Sequence, residues 1–149
     1  MPTATGKLYG NGLLFLLNGA VPWGTDDLFI GLARTAYTVD IDLHDFWNDV
    51  NALDEITGTG WPAGGVQADG EALSLVTANN DVELDITDEV TAAVTLTDAK
   101  HVILYSRTPV TDATRELVGY ATMDTALAPQ GGTLTLDFAT TGFVLIDYT

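Results

Sequence analysis

The sequence predicts an all-β domain, an antiparallel β-sandwich of jelly-roll or immunoglobulin-like type with a short N-terminal helix. Three observations carry that expectation. Short apolar segments with period-two alternation recur from residue 71 onward, at the spacing of roughly 8–12 residues that sandwiches and barrels show. Turn-forming clusters separate them: Asn79-Asn80-Asp81, Thr97-Asp98, Pro109 and Pro129-Gln130-Gly131-Gly132. No rhythm of strand, helix and strand appears, so a doubly wound parallel sheet is not expected.

The N-terminal segment, residues 1–20, holds Leu8 and the run Leu13 to Leu17, read as one short helix stopped by Asn18-Gly19. Gly10 and Gly12 weaken it, each by about 1 kcal/mol relative to alanine. Val21-Pro22-Trp23-Gly24 is a turn leading to Asp26-Asp27. Leu28 to Thr35 is apolar on both faces, as a central strand with both faces covered must be. Residues 36–52 form a long acidic loop with one helical turn, in which Asp40, Asp42, His44, Asp45 and Asp49 surround Phe46 and Trp47. Leu53 to Thr57 reads as a short strand. After it, Gly58, Gly60, Gly64 and Gly65 with Pro62 rule out regular structure. The remaining strands are Glu71–Val76, Val82–Ile86, Ala93–Thr97, His101–Tyr105, Leu117–Met123, Thr133–Phe138 and Phe143–Tyr148.

The 149 residues fit one domain, residues 1–149. With 46% hydrophobic residues against 17% charged, the chain can fill a core. Five Lys and Arg stand against 21 Asp and Glu, a net charge of -16. Such a surface repels phosphate backbones and anionic membranes, so neither nucleic acid nor membrane is an expected partner. The self-repulsion calls for salt, cations or a less acidic partner. Abundant Asp with scarce Lys suits a high-salt environment, and a high-GC genome produces the same bias. Cysteine is absent, which excludes disulfides and thiolate metal sites. The N-terminus carries only Lys7 before its apolar run, unlike a signal peptide, and Leu13 to Leu17 is too short to span a bilayer. The expectation is a chain that is cytosolic when made.

No residue pattern points to catalysis. G-x-S-x-G is missing, and His44 and His101 are the two histidines. His101, heading an apolar strand, reads as an ordinary edge or core histidine. His44 reads as a loop residue, with a ligand or pH-sensitive role as its alternative. Asp81, Glu83 and Asp85 alternate with apolar residues and so line one face of a strand, the pattern of a solvated outer face. Clustered oxygens suit Ca²⁺, and the richest cluster is Asp40, Asp42, Asp45 and Asp49. It lacks the glycine and terminal glutamate of an EF-hand loop, so it is a weak candidate. The glycines at 58–65 lack the Lys-Ser/Thr ending of a phosphate-binding loop. No cofactor is expected, and a hydrolase with an unrecognised acid pair is the least favoured reading.

The order of signals carries a resemblance. Lys7-Leu8-Tyr9-Gly10 precedes the leucine-rich segment, followed by Trp23-Gly24-Thr25-Asp26, the strand at Leu28 to Leu32, Ala36-Tyr37-Thr38, then Asp42 and His44. Glu55-Ile56-Thr57-Gly58-Thr59-Gly60-Trp61-Pro62-Ala63-Gly64-Gly65 closes the first half. The later segments Val102 to Tyr105, Leu117 to Tyr120 and Leu134 to Phe138 fit the same order. The chain resembles a widespread family of small virion structural proteins of tailed viruses. Members commonly carry Gly-Tyr-Thr-Ala-Gly-Gly where this chain has Trp61 for the tyrosine and Pro62 for the threonine.

The resemblance implies a virion component of bacterial or archaeal tailed viruses: head-associated, decoration or minor tail. Acidity argues for the outside of the shell, away from packaged DNA. The expected partners are then the major capsid protein, copies of itself, or both, in a homo-oligomer such as a trimer. Trp61 with Pro62, and Trp47, are the candidate contact residues, because exposed tryptophans anchor interfaces. For Trp61 a position folded back over one end of the sandwich stands as the alternative. The rival reading is a tail or tail-fibre component that stacks a receptor or carbohydrate on Trp47 and Trp61.

Overall fold

The computed structural model describes residues 5–139 and 142–147. Within them the chain is an all-β antiparallel sandwich with two helices. The strands are β1 (Gly6–Leu8), β2 (Leu28–Arg34), β3 (Val66–Gln67), β4 (Ala72–Val76), β5 (Asp81–Asp85), β6 (Glu89–Thr95), β7 (Ala99–Ser106), β8 (Leu117–Leu127), β9 (Gln130–Leu136) and β10 (Val144–Asp147). Helix α1 spans Gly10–Asn18, and α2 is a single turn at Asn48–Asn51.

One layer is a five-stranded sheet in the order β1-β8-β7-β2-β3. The facing layer consists of β10-β5-β4 and the pair β6-β9. Their registers show that these are two stretches of one ribbon. Asp81 to Leu84 pairs with Asp147 to Val144, and Glu89 to Thr95 then pairs with Leu136 to Gln130. Leu28, Ile30 and Leu32 of β2, Val102 and Leu104 of β7, and Leu84, Val94, Leu134 and Leu136 of the ribbon fill the space between the layers.

The two-faced apolar pattern of β2 and β7 has a definite cause. Their inward side chains meet the ribbon, while Ala33, Ile103 and Tyr105 point the other way into a second core. Residues 36–52 cover that outer face as a third layer. Trp47 lies flat on Tyr105, with ring centroids 4.1 Å apart and planes 4° apart. Opposite Ile103 in the ladder is Gly31, where a Cβ would come within 2.2 Å of the Trp47 ring. A glycine in the middle of β2 therefore makes room for an indole.

Several boundaries differ from the sequence reading. Leu53 to Thr57 forms no strand and touches the sheet through one bridge, Ala33 to Glu55. The strand expected at Ala93–Thr97 begins earlier, at Glu89, and a register shift falls between Thr91 and Val94, where Ala93 adopts a positive φ of 54°. Strand β9 starts inside the expected turn, at Gln130. The predicted end of the last strand, Tyr148, lies outside the described residues.

Candidate interaction surface

The structure turns both candidate contact tryptophans inward. Trp47 and Trp61 are each 1% exposed, on opposite sides of the five-stranded sheet. Gly58 and Trp61 exchange backbone hydrogen bonds in a tight turn, and Thr59 pairs with Thr95 of β6. This folds Trp61 into the inner core, as the alternative to an exposed anchor had it, while for Trp47 the expectation of an exposed contact is corrected; Pro62 stays at the surface. The Trp61 indole N–H finds no hydrogen-bond partner among the described residues. Neither indole presents a face on which a sugar could stack.

The acidic loop uses its carboxylates to fold itself. Asp40 Oδ1 accepts the N–H groups of Asp42 and Leu43, both at 3.1 Å. Asp49 Oδ2 accepts those of Asp45 and Phe46, at 2.9 and 3.0 Å. The Asp45 carboxylate accepts the Asn11 side-chain amide at 2.5 Å, which ties the loop to α1. These are capping bonds, in which a short acidic side chain replaces the missing backbone partners of a turn. Asp40 and Asp49 thus serve backbone donors and Asp45 a side-chain amide, and among the described residues no three acids or histidines converge to hold a metal ion.

The two histidines, unrelated in the sequence reading, meet on one tyrosine. His44 stacks against Tyr37 and His101 packs edge-on against it, each with centroids 5.4 Å apart. His44 Nδ1 accepts the Asp40 N–H at 3.3 Å and lies 2.8 Å from the Tyr37 hydroxyl. That nitrogen is therefore the acceptor, Tyr37 donates to it, and the Tyr9 hydroxyl, 2.9 Å away, donates to Tyr37. Burial pushes the Tyr37 and Tyr105 hydroxyls up to about 12 and that of Tyr9 beyond the usual range, so all three remain donors. The network clamps the third layer to the sheet.

His101 brings a pH dependence. Burial, and then Lys100, lower its pKa from the ordinary histidine value, while Asp54 and Asp98 pull the other way. Its Nδ1 lies 3.0 Å from the Thr122 hydroxyl. The unfolded chain binds this proton more readily, so the stability tied to neutral His101 is intact above about pH 6.5. It is lost as pH falls through the lowered folded value. Urea titrations should show a shallower loss in His101→Gln than in the parent chain between about pH 7 and pH 5. Equal slopes would assign the acid sensitivity to other groups.

Glu55 is the other perturbed acid. Burial raises its pKa, opposed by the Gly64 N–H, which donates to it at 2.5 Å, and by Arg107. The Tyr105 hydroxyl donates to the Gly64 carbonyl at 2.7 Å. Glu55 thus fastens the glycine-rich segment to the sheet. An apolar recess of about 210 Å³ lies between the layers, lined by Val102, Met123, Leu136, Phe138 and Phe143. Asp137 is the one carboxylate among its described lining residues, so it holds no acid pair.

One outward-facing apolar surface lies on α1, and the sequence reading did not single it out. Gly12 packs on the Val118 carbonyl, and Phe15 and Leu16 reach the core. Leu13, Leu14 and Leu17 are left at 37%, 53% and 78% exposure on a helix with no charged residue. Gly10 donates to the Ile41 carbonyl at 2.9 Å, which brings the exposed Ile41 to the start of the helix, with Leu43 two residues further on. The signal was present: a nine-residue helix carrying Leu13, Leu14, Phe15, Leu16 and Leu17 in succession cannot turn all of them inward. On a chain of charge -16, this is an uncharged apolar strip of the kind that marks an interaction site.

No family model, curated protein or solved structure matches the chain.

Proposed function

We propose that the chain is a virion structural protein of a tailed virus, a decoration or minor capsid protein that sits on the outer shell and reinforces it. The observation that carries this reading is the uncharged leucine strip of α1 on a chain of net charge -16. Such a surface suits docking onto an apolar patch of a shell subunit, while the surrounding carboxylates keep unassembled copies apart. The motif order along the chain supports the virion assignment, and the acidity supports an outward location.

The deciding measurement is the copy number of this chain relative to the major capsid protein, in purified particles separated into heads and tails. Copies on heads in proportion to the shell subunit are the expected result. A few copies confined to tails would overturn the shell location, and none on either would overturn the virion reading.

A further inference from the structure

We propose that β4 is a self-association edge, along which two copies of this chain join their smaller sheets into one continuous sheet. Strand β4 is the last strand of the order β10-β5-β4, and among the described residues no further strand pairs with it. One row of its N–H and C=O groups therefore faces no strand. Edges of this kind are normally blunted by charge, proline or a bulge. Ala72-Leu73-Ser74-Leu75-Val76 has no charge and no proline, and its ladder with β5 is unbroken. The indole N–H of Trp23 donates to the Ala72 carbonyl at 2.8 Å and holds the start of the strand in place.

The side chains indicate what covers the edge. Leu73 lies opposite Leu84 and Leu75 opposite Val82, so both leucines continue the inner, core-facing side of the ribbon. Leu84 is buried, yet Leu73 and Leu75 remain 63% and 60% exposed, because the ribbon overhangs the five-stranded sheet there. The strand is also its own complement. Paired antiparallel about Ser74, Leu73 of one copy faces Leu75 of the other, and Ala72 faces Val76. All four leucines then share one face.

Charge permits this approach. The carboxylate nearest the strand's centre is Glu83, directly opposite Ser74 and bonded to its hydroxyl. In the joined sheet the two Glu83 backbones stand three strand spacings apart, about 14 Å, with each carboxylate drawn inward onto its own Ser74 hydroxyl. The charges are then separated by a distance on the order of the Debye length, about 10 Å at 0.1 M salt. The repulsion is therefore screened at moderate salt and felt at low salt. Two five-residue strands cover far less than the roughly 1,600 Å² of a standard stable interface, so the contact is weak in dilute solution and suited to the crowding of a shell. A two-fold contact closes at two copies, which makes a dimer.

The inference concerns the isolated protein and stands whether or not the chain belongs to a virion. Sedimentation of the purified chain at rising concentration should show a monomer–dimer equilibrium, tighter at about 0.5 M than at about 0.05 M salt. The double variant Leu73→Lys/Leu75→Lys should sediment as a monomer with an unchanged circular dichroism spectrum, while Leu17→Lys on α1 should dimerise as the parent does. In the unmodified chain, amide exchange should slow with concentration at residues 72–76. A monomer under every condition, a trimer, a dimer that survives the double substitution, or a dimer lost in Leu17→Lys would each overturn the proposal. So would concentration-dependent protection confined to other strands.

Discussion

Replacing Trp47 with alanine is expected to lower folding stability by about 3–5 kcal/mol, the range for deleting a large buried aromatic. Small domains carry a total of about 5–15 kcal/mol, so the variant should stand close to its unfolding threshold. The indole is the centre of the third layer, flat on Tyr105 at 4.1 Å and over Gly31. Without it, Tyr105 and Ile103 lose the cover of an otherwise irregular loop. The same geometry ties Gly31 to Trp47. Gly31→Ala should be costly in the parent chain, where the new methyl meets the ring at 2.2 Å, and nearly harmless in the Trp47→Ala background. A double-mutant cycle in urea should return a coupling of about 1–3 kcal/mol. Additive effects would mean that the third layer opens independently of the sandwich, as a separate cooperative unit.

That pairing also shows where sequence reasoning stops. Leu28 to Thr35 was legible as a central strand because both faces are apolar, and His101 to Tyr105 as a buried one, while alternation in Glu71–Val76 and Val82–Ile86 located two strands that pair as the hairpin β4-β5. Helix α1 was legible from its leucines and from Asn18-Gly19, with Gly19 closing it at φ 77°. Strand β1 was not, since three residues carry no period and its existence depends on β8 supplying a partner. The shift in β6 follows from Ala93, a residue whose positive φ no propensity anticipates. The tryptophans failed for a different reason. A tryptophan in a polar loop is ambiguous until one knows whether a sheet face lies beneath the loop, and only the tertiary fold places Trp47 over Tyr105. Leu73 and Leu75 failed in reverse, because alternation marks them as inward and nothing local reveals that the facing sheet ends before it reaches them.

The glycine-rich segment that carries the family resemblance makes the second large prediction. Gly65 has a φ of 71°, and a Cβ there would sit 1.9 Å from the Ile30 carbonyl oxygen of central strand β2. Two penalties then add. The left-handed conformation costs an L-residue about 1–2 kcal/mol, and forcing atoms into a packed core costs about 1–3 kcal/mol more. Strand β2 is held by β7 on one side and β3 on the other, so it cannot shift to relieve the overlap. Gly65→Ala should therefore lose about 2–5 kcal/mol, with loosening of the Gly64 contacts to Glu55 and Tyr105. Gly19 provides the control, because its φ is 77° and a Cβ there would meet nothing within 4 Å. Gly19→Ala should show the conformational cost alone, about 1–2 kcal/mol. Thermal denaturation of the two variants separates the contributions. Equal losses would mean that Gly65 is there for its backbone angle alone; a larger loss at Gly65 makes the segment a steric lock against the central sheet.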